Sequence, residues 1–179
     1  MFDKQYRFYG AHARKVDELT QAFENVKKAK LFDTAMNVYV TAVKVGYLYK
    51  VKAERDKSPG ASDIDKSIFA EDMLKISEEC KLILRMIILT DVEYEPDKEK
   101  RLDKAFRHLG EDDNDLKLFD SYLLGGVDLL YDKLIADAST VDDYINNLYF
   151  FLEDFHEKFN DGLSSDVILE LCKNAESNS

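Results

Sequence analysis

Tryptophan is absent from this chain, and proline, glycine and cysteine are scarce: the 179 residues include 2 Pro, 7 Gly and 2 Cys. So few turn-forming residues disfavour a β-sandwich, which needs many turns, and favour long helices joined by short loops. Two distant cysteines do not make a disulfide framework. We therefore expect Cys80 and Cys172 to be buried free thiols.

Long apolar runs are also missing. The longest extends over residues 82–89, is interrupted by Arg85, and is too short to span a bilayer. The first ten residues, MFDKQYRFYG, lack the continuous apolar region of a signal peptide. The sequence therefore predicts a cytoplasmic protein that does not contact membranes.

Apolar material for a core is plentiful, since 45% of the residues are hydrophobic and 11 Phe and 10 Tyr are among them. This amount suits one domain over residues 1–179. We expect an all-α fold, a single bundle of about six to seven helices. Pro59 and Gly60 predict a flexible loop near residues 54–66, and residues 175–179 form a polar tail.

Apolar residues recur at steps of three and four, the spacing of one helix face. They predict helices over residues 10–30, 33–55, 67–90, 96–109, 116–136, 140–159 and 166–174. Asp33 is the expected N-cap of the second helix, Ser67 or Asp65 that of the third, and Thr140 with Asp143 forms a capping box for the sixth.

Residues 37–49 leave two alternatives open. Valines at positions 38, 40, 43 and 45 favour a strand, whereas apolar residues on every side fit a central helix that is buried all round. Gly46 in this segment and Gly125-Gly126 in the fifth helix predict a kink or a close approach between helices.

No motif names a reaction. The chain contains no GxSxG, P-loop, GxGxxG or HExxH, and Glu153-x-x-His156 occurs once where a carboxylate-bridged metal bundle needs it twice. The acidic turn EDDND fails as a calcium loop, because the sixth and twelfth residues counted from Asp112 are Lys117 and Leu123 instead of Gly and Glu. We expect no catalytic, metal or cofactor site, although an enzyme with an unfamiliar site remains an alternative.

Charge is divided unevenly along the chain. Residues 1–57 contain 12 Lys and Arg against 7 Asp and Glu, whereas residues 58–179 contain 13 against 29. A net charge of −11 makes nucleic acid an improbable direct ligand, and a dipolar molecule suits contact with a protein partner or with a second copy. The candidate partner-binding residues are basic (Arg14, Lys15, Lys27, Lys28), acidic (Glu111, Asp112, Asp113, Asp115) and aromatic (Tyr47, Tyr49, Tyr149, Phe150).

Two segments, VGYLYKVKAE at residues 45–54 and AFRHLGEDDNDLKLFDSYLLGGVDLLYDKL at residues 105–134, resemble small helical accessory proteins encoded in bacterial anti-phage defence loci. The resemblance implies an accessory or regulatory subunit and carries over no catalytic residue. The first hypothesis is therefore a non-enzymatic interaction protein that docks on a larger partner or self-associates, through complementary charge and aromatic anchors. The alternative is an acidic inhibitor that presents carboxylates to a nucleic-acid-binding protein in place of phosphates.

Overall fold

Two long helices, α2 (Ala35–Tyr49) and α5 (Asp113–Leu134), cross at the centre of the molecule in a computed structural model that describes residues 1–23 and 30–160. The other elements are β1 (Tyr6–Tyr9), α1 (Gly10–Thr20), a short 3-10 turn (Ala61–Asp63), β2 (Asp65–Ile68), α3 (Ala70–Thr90), α4 (Lys98–Phe106) and α6 (Val141–Asn160). Six helices in the described residues confirm the predicted helical fold. The helix predicted at 166–174, the tail at 175–179 and Cys172 lie outside these residues.

The ambiguous segment 37–49 is helical. Thr34 caps α2 by accepting a hydrogen bond from the Asn37 backbone N–H, and Lys50 ends the helix with a left-handed φ of 56°. Val38 and Val43 are both fully buried, as expected for a helix with neighbours on several sides. The β-branched residues therefore reflect central burial rather than a strand.

Glycines let α2 and α5 approach closely. A methyl group added at Gly46 would clash with the Tyr122 carbonyl of α5, and one added at Gly126 would clash with the Ala42 carbonyl of α2. The close approach predicted from Gly46 and the Gly125-Gly126 pair is therefore present.

A small sheet departs from the all-α prediction. β1 and β2 pair antiparallel, with Tyr6 opposite Ile68 and Tyr9 opposite Asp65. Phe8 of β1 is buried against the core, whereas the neighbouring Arg7 is exposed. β1 leads directly into α1, so its backbone N–H and C=O groups need hydrogen-bond partners from elsewhere in the chain. The distant strand β2 supplies them.

The segment 54–66 is attached to the start of α1. Asp56 accepts hydrogen bonds from the backbone N–H groups of Ala11 and Ser58, each at 2.9 Å. The Gly10 N–H donates to the Ile64 carbonyl, also at 2.9 Å. These bonds position the 3-10 turn and β2 beside β1.

Helix starts were predicted correctly in part. The capping box of α6 is present, since the Asp143 N–H donates to the Thr140 hydroxyl and the Thr140 N–H donates to the Asp143 carboxylate. Thr34 replaces Asp33 as the cap of α2. α3 uses neither Ser67 nor Asp65, because both belong to β2 and the helix starts only at Ala70.

The nearly buried Asp91, directly after α3, is a charged hub of the core. Its carboxylate accepts hydrogen bonds from Lys52 Nζ at 2.6 Å, the Tyr122 hydroxyl at 2.8 Å and the Tyr94 backbone N–H at 3.0 Å. Burial alone raises the pKa of Asp91, but the three hydrogen bonds outweigh it, and the pKa lies below its usual value.

Cys80 is a buried free thiol, as predicted. Burial raises its pKa to about 12, so the thiol stays protonated and unreactive near neutral pH.

No helix within the described residues is both long and apolar enough to cross a membrane.

Candidate protein-binding surface on helix α6

Helix α6 is amphipathic with an unusually wide apolar side. At 3.6 residues per turn, its apolar residues from Phe151 round to Tyr149 cover an arc of about 160°. A helix that packs against one neighbour needs a narrower stripe. An arc of this width indicates that α6 can contact a second surface in addition to the body of the protein.

One half of this arc packs inward. Phe151 is buried and its ring stacks on Tyr49 at the end of α2, with centroids 6.2 Å apart. Phe155 and Phe159 lie against the same tyrosine ring, at 6.3 and 5.2 Å. This aromatic cluster fixes which side of α6 faces the body of the protein.

Two further contacts hold the first half of the helix. Tyr144 stacks on Phe23 with ring centroids 4.6 Å apart. The Asn147 side-chain amide donates to the Leu134 carbonyl at 3.4 Å and thereby joins α6 to the end of α5. The helix is therefore anchored along its length by one side only.

The other half of the arc is exposed. Its four residues, Ile145, Leu148, Tyr149 and Leu152, are 57%, 37%, 60% and 55% exposed, and we call them the exposed ridge of α6. Their spacing places them on adjacent turns of one helix face. Leu148, the least exposed of the four, lies at the edge between the buried and exposed halves.

Carboxylates border the exposed ridge on one side. Asp142, Glu153 and Glu157 are exposed and follow Tyr149 around the helix. Within residues 1–23 and 30–160 none of the three pairs with a basic side chain; Glu153 only accepts a hydrogen bond from the Tyr149 hydroxyl at 3.4 Å. Among the described residues, the border is thus an acidic rim without a basic partner.

The predicted basic residues divide into three groups. Arg14 is exposed on α1. Lys15 pairs with Asp128 at 2.9 Å and lies over the Tyr131 ring, so its charge is used within the chain. Lys27 and Lys28 lie outside the described residues.

Tyr47 and Tyr49 both make contacts within the chain. The Tyr47 hydroxyl is 3.0 Å from the Thr90 hydroxyl, and its ring meets Tyr122 edge-on. Tyr49 donates to Asp154 at 2.9 Å, and burial together with this hydrogen bond raises its pKa to about 12. Both tyrosines are half-buried, so these internal contacts cover part of each side chain and leave the rest exposed.

The acidic turn is mostly used in folding. Asp112 caps α5 and pairs with Lys104 at 2.9 Å, and Glu111 lies 2.9 Å from His108. Asp115 is completely buried and binds Lys104 at 3.1 Å, which corrects its assignment to a surface. Of the predicted residues in the turn, Glu111 and Asp113 are exposed. The turn is therefore not a free row of carboxylates.

The structure does place the last two predicted aromatic residues at the surface. Tyr149 belongs to the exposed ridge, and Phe150, 63% exposed, projects from a different side of α6. Ile145 and Leu152 were missed. The signal for them was the arc width, which exceeds what one helix neighbour covers.

The described side chains contain no group of three or more His, Cys, Asp or Glu residues that could hold a metal ion. Glu153 and His156 are both exposed on α6.

Comparisons with protein-family models, curated proteins and solved structures find no match to this chain.

Proposed function

We propose that this protein is a non-enzymatic docking subunit that binds a partner protein through the exposed ridge of α6. The observation that carries the proposal is the ridge itself: four large apolar side chains are exposed beside the buried half of the same helix. Exposed apolar patches bordered by charge mark interaction sites on soluble proteins. Tyr149 supplies an aromatic anchor of the kind that dominates binding energy.

The acidic rim specifies the chemistry of the partner. Asp142, Glu153 and Glu157 favour an apolar surface flanked by Lys or Arg, such as one face of a basic amphipathic helix. The same rim repels anionic lipid headgroups, so a membrane surface is a poor occupant.

A second copy is disfavoured at this ridge. Two α6 helices packed face to face would bring their acidic rims together, and like charges at an interface cost binding energy. Within the described part of residues 1–57, Leu48 is the only large hydrophobic residue that is exposed, so the basic first third offers little apolar surface to a second ridge. The earlier prediction of self-association therefore becomes one of the outcomes to test.

The resemblance to accessory proteins of anti-phage defence loci also supports a docking function. It suggests that the partner is the larger component of such a system, which this chain would position or regulate. Docking of this kind requires no catalytic residue and no cofactor.

The experiment is affinity purification from the native host followed by binding of the purified pair. Leu152→Ser removes an apolar side chain from the exposed ridge, and Leu82→Ser removes an equally exposed leucine (54%) from α3 as the matched control. We expect Leu152→Ser to weaken binding roughly tenfold or more and Leu82→Ser to leave it unchanged. Raising the salt concentration is expected to slow association, because the rim is charged.

Two results would count against the proposal. In the first, Leu152→Ser and Leu82→Ser bind the purified partner equally well. In the second, light scattering shows a homodimer that Leu152→Ser dissociates, which would make the ridge a self-association surface.

A further inference from the structure

A cavity of about 620 Å³ lies beneath the first five residues, away from the exposed ridge of α6. Small-molecule sites commonly have volumes of about 300–1,000 Å³ and combine apolar walls with a few polar groups. None of the four ridge residues lines this cavity. It is therefore a separate feature, and nothing in the docking function uses it.

Aromatic rings form part of the cavity walls. Four rings line the cavity, those of Phe2, Tyr6, Tyr39 and Phe119. Phe2 lies 4.8 Å from Phe119, and Tyr6 lies 4.9 Å from Tyr39, between ring centroids. Such walls favour a flat aromatic ligand, which can stack on or meet these rings edge-on.

The segment Met1–Gln5 forms the roof. The Ser77 hydroxyl donates to the Met1 carbonyl at 3.3 Å, and Phe2 has a φ of 57°, in the left-handed region that side chains disfavour. The Phe2 ring contacts Phe119, which also lines the cavity.

One charged group is anchored at the cavity wall. Asp120 accepts hydrogen bonds from the Tyr6 hydroxyl at 2.5 Å and from Arg55 Nε at 2.6 Å, so both carboxylate oxygens are occupied. Arg55 uses one of its five N–H donors in this contact. Its remaining donors make no hydrogen bond within residues 1–23 and 30–160 and can bind an anion beside the rings.

Tyr39 carries a hydroxyl with no internal partner. Its side chain is buried (2% exposed) and lines the cavity, yet it makes no hydrogen bond within the described part of the chain. Burial is the main cause that raises the pKa of Tyr39, so the group remains a hydrogen-bond donor at neutral pH. The hydroxyl is not among the fully enclosed unpartnered atoms of the described side chains, so it can donate to a ligand oxygen that enters the cavity.

The charges around the cavity differ from those of the whole protein. Lys4, Arg55 and Lys117 line it against Asp3 and Asp120, a small positive excess in a chain whose net charge is −11. Local positive charge attracts anions.

We propose that this cavity binds a small aromatic molecule with one anionic group, whose ring lies among Phe2, Tyr39 and Phe119. The anionic group accepts a hydrogen bond from the Tyr39 hydroxyl and meets the free side of the Arg55 guanidinium. This inference is independent of the docking function, because it uses different residues.

The test is a titration of the full-length protein with anilinonaphthalene sulfonate, an aromatic anion whose fluorescence rises in apolar sites, and with uncharged anilinonaphthalene. We expect saturable binding of one sulfonate per chain. Tyr39→Phe should weaken it about fivefold to tenfold through loss of one hydrogen bond. Leu116→Trp, which fills the cavity from α5, should abolish it.

The dye also binds exposed apolar surfaces, so Leu152→Ser on the ridge is the matched control and should not change the titration. Equal affinity for the uncharged analogue would overturn the anionic part of the proposal. Loss of the signal in Leu152→Ser with retention in Leu116→Trp would overturn the site.

If Leu116→Trp fails to fold, methyl NMR of the unaltered protein shows whether the dye binds in the cavity. Dye-induced shifts at Met73 and Leu116 support the cavity, since both line it. Shifts confined to Ile145 and Leu148 overturn it.

Discussion

At the scale of single residues, three glycines control the distance between the two central helices. Gly46 on α2 faces the Tyr122 backbone, while Gly125 and Gly126 on α5 face the backbone of Val51 and Ala42. Glycine usually weakens a helix interior by about 1 kcal/mol relative to alanine. Glycine is nevertheless required at these three positions, because a side chain would clash with a carbonyl group of the facing backbone.

Gly126→Ala is therefore expected to destabilise the protein in spite of alanine's higher helix propensity. Overpacking of a filled core costs about 1–3 kcal/mol, and movement of the α2 backbone is required here. Urea unfolding followed by circular dichroism measures the change. The control Asp132→Ala, exposed on the same helix, should stay within about 0.5 kcal/mol of the unaltered protein. A stabilised Gly126→Ala would contradict the close crossing.

Asp91 gives the stability a defined pH dependence. Its folded pKa lies below the ordinary value near 4, because Lys52, Tyr122 and the Tyr94 N–H bind the carboxylate. The unfolded state therefore binds the proton more readily. The stabilisation is complete above that ordinary value and is lost as the pH falls through the folded pKa.

Asp91→Asn should lower the free energy of unfolding at pH 7 by about 1–3 kcal/mol, since the hydrogen bonds to a charged group are weakened. The gap between variant and unaltered protein should narrow as the pH is lowered to about 3. Urea unfolding at both pH values checks this. A gap that is the same at both would mean that Asp91 contributes no pH-dependent stability.

At the scale of elements, α6 is a helix whose two apolar halves do different things. Phe151 packs on Tyr49 and is 8% exposed, whereas Leu152, the next residue, is 55% exposed. Neighbouring residues of similar hydrophobicity thus stand in opposite environments.

Phe151→Ala should accordingly cost about 3 kcal/mol or more, the usual loss for a buried phenylalanine. Leu152→Ser should change stability by no more than about 0.5 kcal/mol. Thermal unfolding of the two variants gives the comparison. Equal destabilisation would show that the ridge belongs to the core.

Some features of α6 could be predicted from the sequence and others could not. The capping box at Thr140 and Asp143 is local, so it was predictable and is present. The division of the apolar arc into covered and exposed halves depends on where Tyr49 lies in space, which periodicity does not contain. The β1–β2 pair was missed for a related reason, because Tyr6 and Ile68 are distant in the chain and β2 has little apolar alternation.

At the scale of the whole molecule, the two apolar features do not share residues. The exposed ridge of α6 and the cavity beneath Met1–Gln5 therefore allow separate variants, so binding of a protein and binding of a small molecule can be tested one at a time.

The charge asymmetry in the sequence takes a more specific form in the folded chain. Several carboxylates of the acidic part are neutralised by lysines and arginines from the basic part: Lys15 pairs with Asp128, Lys52 with Asp91 and Arg55 with Asp120. The opposite charges of the two parts thus meet inside one molecule. Among the residues that the structure describes, the three carboxylates of the acidic rim on α6 make no ion pair.

Site-specific photocrosslinking in the native host tests the docking function most directly. A photoreactive phenylalanine analogue placed at Tyr149, on the exposed ridge, should form an adduct with one partner protein. The same analogue at Leu82 on α3 should not. The docking function would be contradicted by an adduct with the same protein from both positions, by none from Tyr149, or by an adduct with the mass of two copies of this chain.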